Sequence, residues 1–166
     1  MLNRSLVIAY FLFVVGLCGC LTAGTHGSIK SYQYSLSKYT LEKAVQKIIT
    51  TSQNIQRDTT KAFNDSTRYD YYNDGIDYLT ITITKNEQAN TYIIRYAGAR
   101  ESWNNSKISY ISICYANDKN GNGGSEGNGG LPWYKYGLKK DLIDLFENEF
   151  VSKIDSVLGQ KHIETD

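Results

Sequence analysis

"IDYLTITITK" (Ile76–Lys85) alternates apolar and polar residues almost without a break. Leu79, Ile81 and Ile83 fall on one side of an extended chain, and Tyr78, Thr80, Thr82 and Thr84 on the other. A helix would scatter these positions around its axis, so the period of two reads as a half-buried strand. Upstream, "RYDYY" (68–72) and the "NDG" of 73–75 read as a partner strand and a tight turn. Downstream, beyond the polar "KNEQAN" (85–90), "TYIIRYAGA" (91–99) is a third strand. "ISYISICYA" (108–116) follows, with Ile111, Ile113 and Tyr115 on one face and Tyr110, Ser112 and Cys114 opposite. Short loops between successive strands favour an antiparallel meander.

A helical pattern stands on each side of these strands. In "YTLEKAVQKIITTSQNI" (39–55), Leu41, Ala44, Val45, Ile48, Ile49, Ser52 and Ile55 recur at three- and four-residue spacing. Thr40 is the expected N-cap, and Glu42, Lys43, Gln46 and Lys47 form the wet face. In "YGLKKDLIDLFENEFVSKIDSVLG" (136–159), the stripe is Leu138, Leu142, Leu145, Phe146, Phe150, Ile154 and Val157, closed by Gly159 as a C-terminal cap. The expected fold class is therefore α+β: a two-layer sandwich, an antiparallel sheet of about four strands with an N-terminal and a C-terminal helix on one face. That arrangement leaves the other sheet face, rich in Thr and Tyr, without a helix. "SYQYSL" (31–36) alternates Tyr32, Tyr34 and Leu36 and reads as an edge strand, whereas 161–166 reads as a flexible tail.

The N-terminus carries an address. Arg4 is the only charge before an apolar run from Leu6 to Leu17, and small residues follow. That is the layout of a secretory signal, and the run is shorter than the roughly 20 residues a spanning helix needs. Its end, Leu17-Cys18-Gly19-Cys20, resembles the processing box of bacterial lipoproteins, with Cys18 in the middle as a departure from the pattern. The resemblance implies cleavage before Cys20, a diacylglyceryl group on its sulfur and acylation of the new amino terminus. Cleavage before Cys18 would place Leu17 where a small residue is wanted, a poorer match. Several acyl chains, at about 0.8 kcal/mol per buried methylene, would hold the chain firmly on a membrane. The organisation expected is thus a signal peptide at 1–19, a lipidated Cys and tether with the edge strand at 20–37, one domain at 38–160, and the tail. The location implied is the cell envelope, facing the periplasm or the exterior.

Charge narrows the partners. The chain has 18 Lys and Arg against 17 Asp and Glu, and losing Arg4 with the signal balances them. A balanced chain has no electrostatic reason to seek nucleic acid. With Cys18 and Cys20 in the leader and box, Cys114 is left alone and forms no internal disulfide.

Catalytic chemistry finds little support in the residues. His26 and His162 lie in the tether and the tail, which are poor supports for a site, and both read as solvated. Cys114, within a strand, reads as a small packing residue. Of the acidic residues Asp65, Asp70, Asp74 and Asp77, Asp74 is explained by its turn. The 14 tyrosines suit strands, with one apolar and one wet end, and also suit binding surfaces. Tyr78 and Tyr110 on the sheet, with Trp103 and Trp133 in loops, are the candidate partner-binding residues.

"DKNGNGGSEGNGG" (118–130) opens like a calcium loop. Asp118, Asn120, Asn122, the carbonyl of Gly124 and Glu126 fall at positions 1, 3, 5, 7 and 9 of that pattern, with Gly123 at the sharp turn. Position 12, which needs a bidentate Glu, is Gly129, so any calcium affinity would be weak. The competing readings are a flexible crossover to the last helix and a partner-contacting loop. The glycine spacing fits neither dinucleotide nor phosphate loops.

Taken together, the residues point to a small membrane-anchored envelope lipoprotein without enzymatic activity. It would act by protein–protein binding, as an inhibitor or immunity factor, or in a structural role. The alternative is a ligand-binding module for calcium or a glycan, using the loop at 117–130 or a Tyr-rich sheet face.

Overall fold

The computed structural model describes residues 28–58, 77–97, 105–125 and 136–165. The chain order is β1 (Lys30–Tyr34), α1 (Lys38–Thr51), β2 (Ile55–Arg57), β3 (Asp77–Lys85), β4 (Gln88–Ala97), β5 (Ser109–Asn117), β6 (Gly123–Gly124), α2 (Tyr136–Phe146), a π-helical turn (Glu147–Val151), α3 (Ser152–Leu158) and β7 (Ile163–Thr165). The seven strands form one antiparallel sheet ordered β2-β3-β4-β5-β1-β7, with β6 paired to β5. The α+β class and the helices on one face agree with expectation. The sheet is larger than the four strands expected, because the short strands β2, β6 and β7 are too brief to leave a periodic signature.

The meander stands where alternation places it. Leu79, Ile81 and Ile83 of β3 are buried, as are Tyr92, Ile94 and Tyr96 of β4 and Ile111 and Ile113 of β5. They share one cluster with Leu41, Val45 and Ile48 of α1 and with Leu142, Phe146, Phe150 and Ile154 of the C-terminal helix. The β4–β5 register breaks between Ile93 and Ile94: Ile94 faces Ile113 but Ile93 faces Tyr115, so Cys114 is an extra residue in a bulge. The bulge turns Tyr115 away from the core, against expectation, and brings Ala116 inward at 1% exposure.

The β3–β4 connection is tighter than the polar "KNEQAN" suggests. Lys85 pairs Gln88 directly, leaving Asn86 and Glu87 as a two-residue turn with φ of 50° and 62°. Both φ values are positive, as a type I′ hairpin turn requires. The "RYDYY" strand and "NDG" turn lie outside the described residues.

β1 is not at an edge. It pairs β5 on one side and β7 on the other, so the expected flexible tail supplies an outer strand. α1 begins one turn earlier than Thr40 implies: Ser37 is the N-cap, its hydroxyl accepting the Thr40 N–H at 3.2 Å. It also ends sooner, at Ser52, and Ile55 lies in β2 rather than on the helix. The Thr50 and Thr51 hydroxyls donate back to the Lys47 carbonyl at 2.9 and 2.8 Å, a local competition that weakens helix continuation.

The C-terminal helix follows its stripe up to Phe146 and then passes through the π turn. One added residue lets Phe150 and Val151 both face the core, after which Ile154 is buried and Val157 is turned out at 40% exposure. Val157 therefore leaves the stripe on which the sequence places it. Gly159 caps the end as expected, in the left-handed conformation, with its N–H donating to the Asp155 carbonyl.

Candidate functional site

Three regions collect polar side chains. The first lies between the sheet and the C-terminal helix. Tyr32, Tyr34 and Tyr92 are fully buried on the core face, and each hydroxyl reaches the helix. Tyr32 donates to Glu147 at 3.1 Å, Tyr34 to Asp155 at 2.9 Å, and Tyr92 to the Leu142 carbonyl at 2.9 Å. Burial, reinforced by the neighbouring carboxylates, raises the Tyr32 and Tyr34 phenols far above their ordinary range, so they remain donors. Lys30 bonds Glu147 at 2.6 Å and Glu164 at 3.1 Å. Burial would lower the Lys30 pKa, but the two carboxylates outweigh it and raise the value.

His162 belongs to this region and is not the solvated bystander its place in the sequence suggests. Its Nδ1 lies 3.0 Å from Asp155 Oδ2, its backbone N–H donates to Oδ1 at 3.3 Å, and its ring meets Tyr32 edge-on at 5.2 Å. Nearby, Glu149 accepts from Lys85 at 2.9 Å and from Asn54 Nδ2 at 2.9 Å. The Lys85 bond, supported by Asn54, holds that carboxyl below the usual range. Each acid in this region has a partner, so its chemistry is that of a clasp between helix and sheet.

The second region is the start of the glycine-rich loop. Asp118 Oδ1 accepts the backbone N–H groups of Asn120 at 2.9 Å and Asn122 at 2.8 Å, and Oδ2 accepts from Asn122 Nδ2 at 3.0 Å. The Asp118 N–H donates to the Asn122 carbonyl at 2.8 Å, and Gly121 turns the chain at φ +78°. Both carboxylate oxygens thus organise a turn, and Asn122 offers Asp118 its N–H rather than an oxygen ligand. Gly124 pairs with Ala116 in β6. The segment 118–125 is therefore a hairpin return onto β5, not a free crossover. Asp118, Asn120, Asn122 and Gly124 are brought together there, while Glu126 lies outside the described residues. Among the described residues no three His, Cys, Asp or Glu side chains gather as a metal site would need.

The third region is the sheet face away from both helices. Register places Tyr78, Arg95, Ser112, Ser31 and Thr165 in one row across five strands. Thr80, Ile93 and Tyr115 form the row on one side, and Tyr110, Gln33 and Ile163 the row on the other. Tyr78 and Tyr110 are both half-buried on this face, with β4 between their strands. The Ser112 and Ser31 hydroxyls bond at 2.8 Å, and Ser112 is 3% exposed. Arg95 is half-buried, and its Nε is buried with no hydrogen-bond partner. Burial pushes the Cys114 thiol up to about 11, with the Arg95 guanidinium pulling the other way. Sequence reasoning passed over Arg95, although the alternation of "TYIIRYAGA" already sets it opposite Tyr92, Ile94 and Tyr96.

Of the other expected site residues, Cys20, Trp103 and Trp133 lie outside the described residues. No helix among the described residues is long and apolar enough to cross a membrane. No family model, curated protein or solved structure matches this chain.

Proposed function

We propose that this protein is a membrane-tethered envelope lipoprotein that acts by docking a protein partner on the sheet face away from the described helices, without catalysing a reaction. The observation that carries this reading is the make-up of that face. Hydroxyl and phenol groups from four strands share a row with a half-buried arginine whose Nε has no hydrogen-bond partner. Aromatic and arginine side chains are the groups on which interfaces concentrate their binding energy. Burial raises the Cys114 thiol to about 11, further from ionisation than an ordinary thiol, which favours a packing role over a nucleophilic one. The tether is the part supplied by Cys20 and its resemblance to a lipoprotein box. The Asp118 carboxylate is occupied by its own turn, so the hairpin serves in this reading as a structural edge rather than an ion site.

Two measurements test the reading. Mass spectrometry of the chain expressed in a bacterium should find a diacylglyceryl-modified Cys20 at the mature N-terminus, and Cys20→Ser should release the protein from membranes. Affinity capture from envelope extract should then recover a stoichiometric protein. Recovery of none would reject the docking role.

A further inference from the structure

The glycine-rich loop holds the dipeptide Asn-Gly at 120–121 and again at 122–123. A third copy, at 128–129, lies outside the described residues. At such a pair a chain reacts readily with itself, because glycine has no side chain to shield its amide nitrogen from the preceding carboxamide. Sequence makes the first two pairs equivalent, and both asparagines are exposed. Their bonding separates them.

Asn122 is held three times by Asp118. Its Nδ2 donates to Oδ2 at 3.0 Å, its backbone N–H donates to Oδ1 at 2.8 Å, and its carbonyl accepts the Asp118 N–H at 2.8 Å. Gly123, whose nitrogen would attack, is fixed in β6 opposite Asn117. An added Cβ there would lie 2.0 Å from the Ala116 carbonyl oxygen, so the backbone has little room to turn. Asn120 is held through its backbone N–H, which donates to Asp118 Oδ1 at 2.9 Å, and its carboxamide bonds no described residue. Gly121 stands in open space, with nothing within 4 Å of an added Cβ, and its N–H donates to the Asp118 carbonyl at 3.0 Å.

We propose that Asn120 is a site of spontaneous deamidation and that Asp118 shields Asn122 from the same reaction. The Gly121 nitrogen attacks Asn120 Cγ: an N–Cγ bond forms, the Cγ–Nδ2 bond breaks, and ammonia leaves with the Gly121 proton. The succinimide so formed takes up one solvent water. Opening at Cγ leaves aspartate at position 120. Opening at the backbone carbonyl leaves isoaspartate, whose main chain runs through Cβ and is one carbon longer. Either product sets a second negative charge near Asp118, and the two repel. The longer chain of isoaspartate also alters the span from 118 to 122 that one carboxylate bridges. Both changes loosen β6 from β5. The inference is independent of the docking reading.

The test is incubation of the full chain at mildly alkaline pH, folded and in urea, with tryptic mapping by mass spectrometry to place each change. In urea the two asparagines should react at similar rates. In the folded chain Asn122 should fall about tenfold or more behind Asn120, because its bond to a carboxylate must break first. Asp118→Ala should bring the Asn122 rate up to that of Asn120. Amide exchange at Gly123 and Gly124 should quicken as the modified fraction grows. An Asn120 that reacts in urea but not in the folded chain would overturn the assignment, as would equal folded rates at the two positions. Protection of Asn122 that survives in Asp118→Ala would overturn the role given to Asp118.

Discussion

Asp155 on α3 and His162, just ahead of β7, are joined twice. His162 Nδ1 lies 3.0 Å from Asp155 Oδ2, and the His162 backbone N–H donates to Oδ1 at 3.3 Å. The same Oδ1 accepts the buried Tyr34 phenol at 2.9 Å. One carboxylate therefore ties the helix to a buried residue of β1 and fixes where the chain re-enters the sheet as β7. Asp155→Ala should strand the Tyr34 hydroxyl and lower stability by about 2 kcal/mol, the scale of a lost charge-assisted bond with its donor left buried. Amide exchange at Glu164 and Thr165 should rise toward unstructured rates while β3 and β4 stay protected. Unchanged exchange at both residues would show that β7 is held by its ladder alone.

The Asn86–Glu87 turn sets a second expectation. Glu87 adopts φ of 62°, a conformation that disfavours side chains carrying a Cβ. Asn-Gly is the preferred pair in such hairpin turns. Glu87→Gly should therefore stabilise the protein by about 0.5–1 kcal/mol, relief of the left-handed strain outweighing the added freedom of the unfolded chain. Chemical denaturation reads this as a higher midpoint with an unaltered slope.

Glycines in this chain divide sharply by position. A Cβ on Gly123 would lie 2.0 Å from the Ala116 carbonyl oxygen and 2.6 Å from the Asn117 Cα, both backbone atoms. Gly123→Ala should force β6 off β5 and destabilise by about 1–3 kcal/mol. Gly137, in the first turn of α2, has nothing within 4 Å of the same added atom. Gly137→Ala should be neutral or raise stability by up to about 1 kcal/mol, because alanine restricts the unfolded chain and favours helix. Thermal unfolding of the pair should move in opposite directions, or one should move and the other stand still.

Cys114 gives the pH dependence. Its thiol is pushed from 9.0 up to about 11 by burial, against the pull of Arg95. The unfolded thiol ionises first, so the contribution is full below about 9 and is lost as pH rises toward 11. Absorbance at the thiolate band, in a variant with Cys18 and Cys20 replaced by Ser, should give a midpoint near 11. Arg95→Gln should move that midpoint higher, since the cation no longer favours the thiolate. A midpoint at the ordinary value would place Cys114 in water rather than in the bulge.

The residues alone determined the class of this fold. Period-two alternation from Leu79 to Thr84 and the helical stripes through Leu41–Ile48 and Leu142–Phe150 are local signals. Each requires only that apolar side chains share one side of an element, so strand, helix and core face were legible. The Gly159 cap was legible because a residue without a Cβ takes the left-handed conformation that ends a helix. What the chain could not announce locally was settled by contacts between distant segments. The tail became a strand because Asp155 and β1 offered His162 and Ile163–Thr165 partners that no neighbouring residue could supply. The first part of the glycine-rich loop became a hairpin because Asp118 turned both its oxygens on the loop itself. Tyr115 and Val157 left their expected faces because a one-residue bulge and a π turn each shift the phase of everything that follows. Arg95 acquired its setting only when β3 and β5 paired on either side of β4. Periodicity records which side of an element meets the core; it carries no record of which element arrives on the other side.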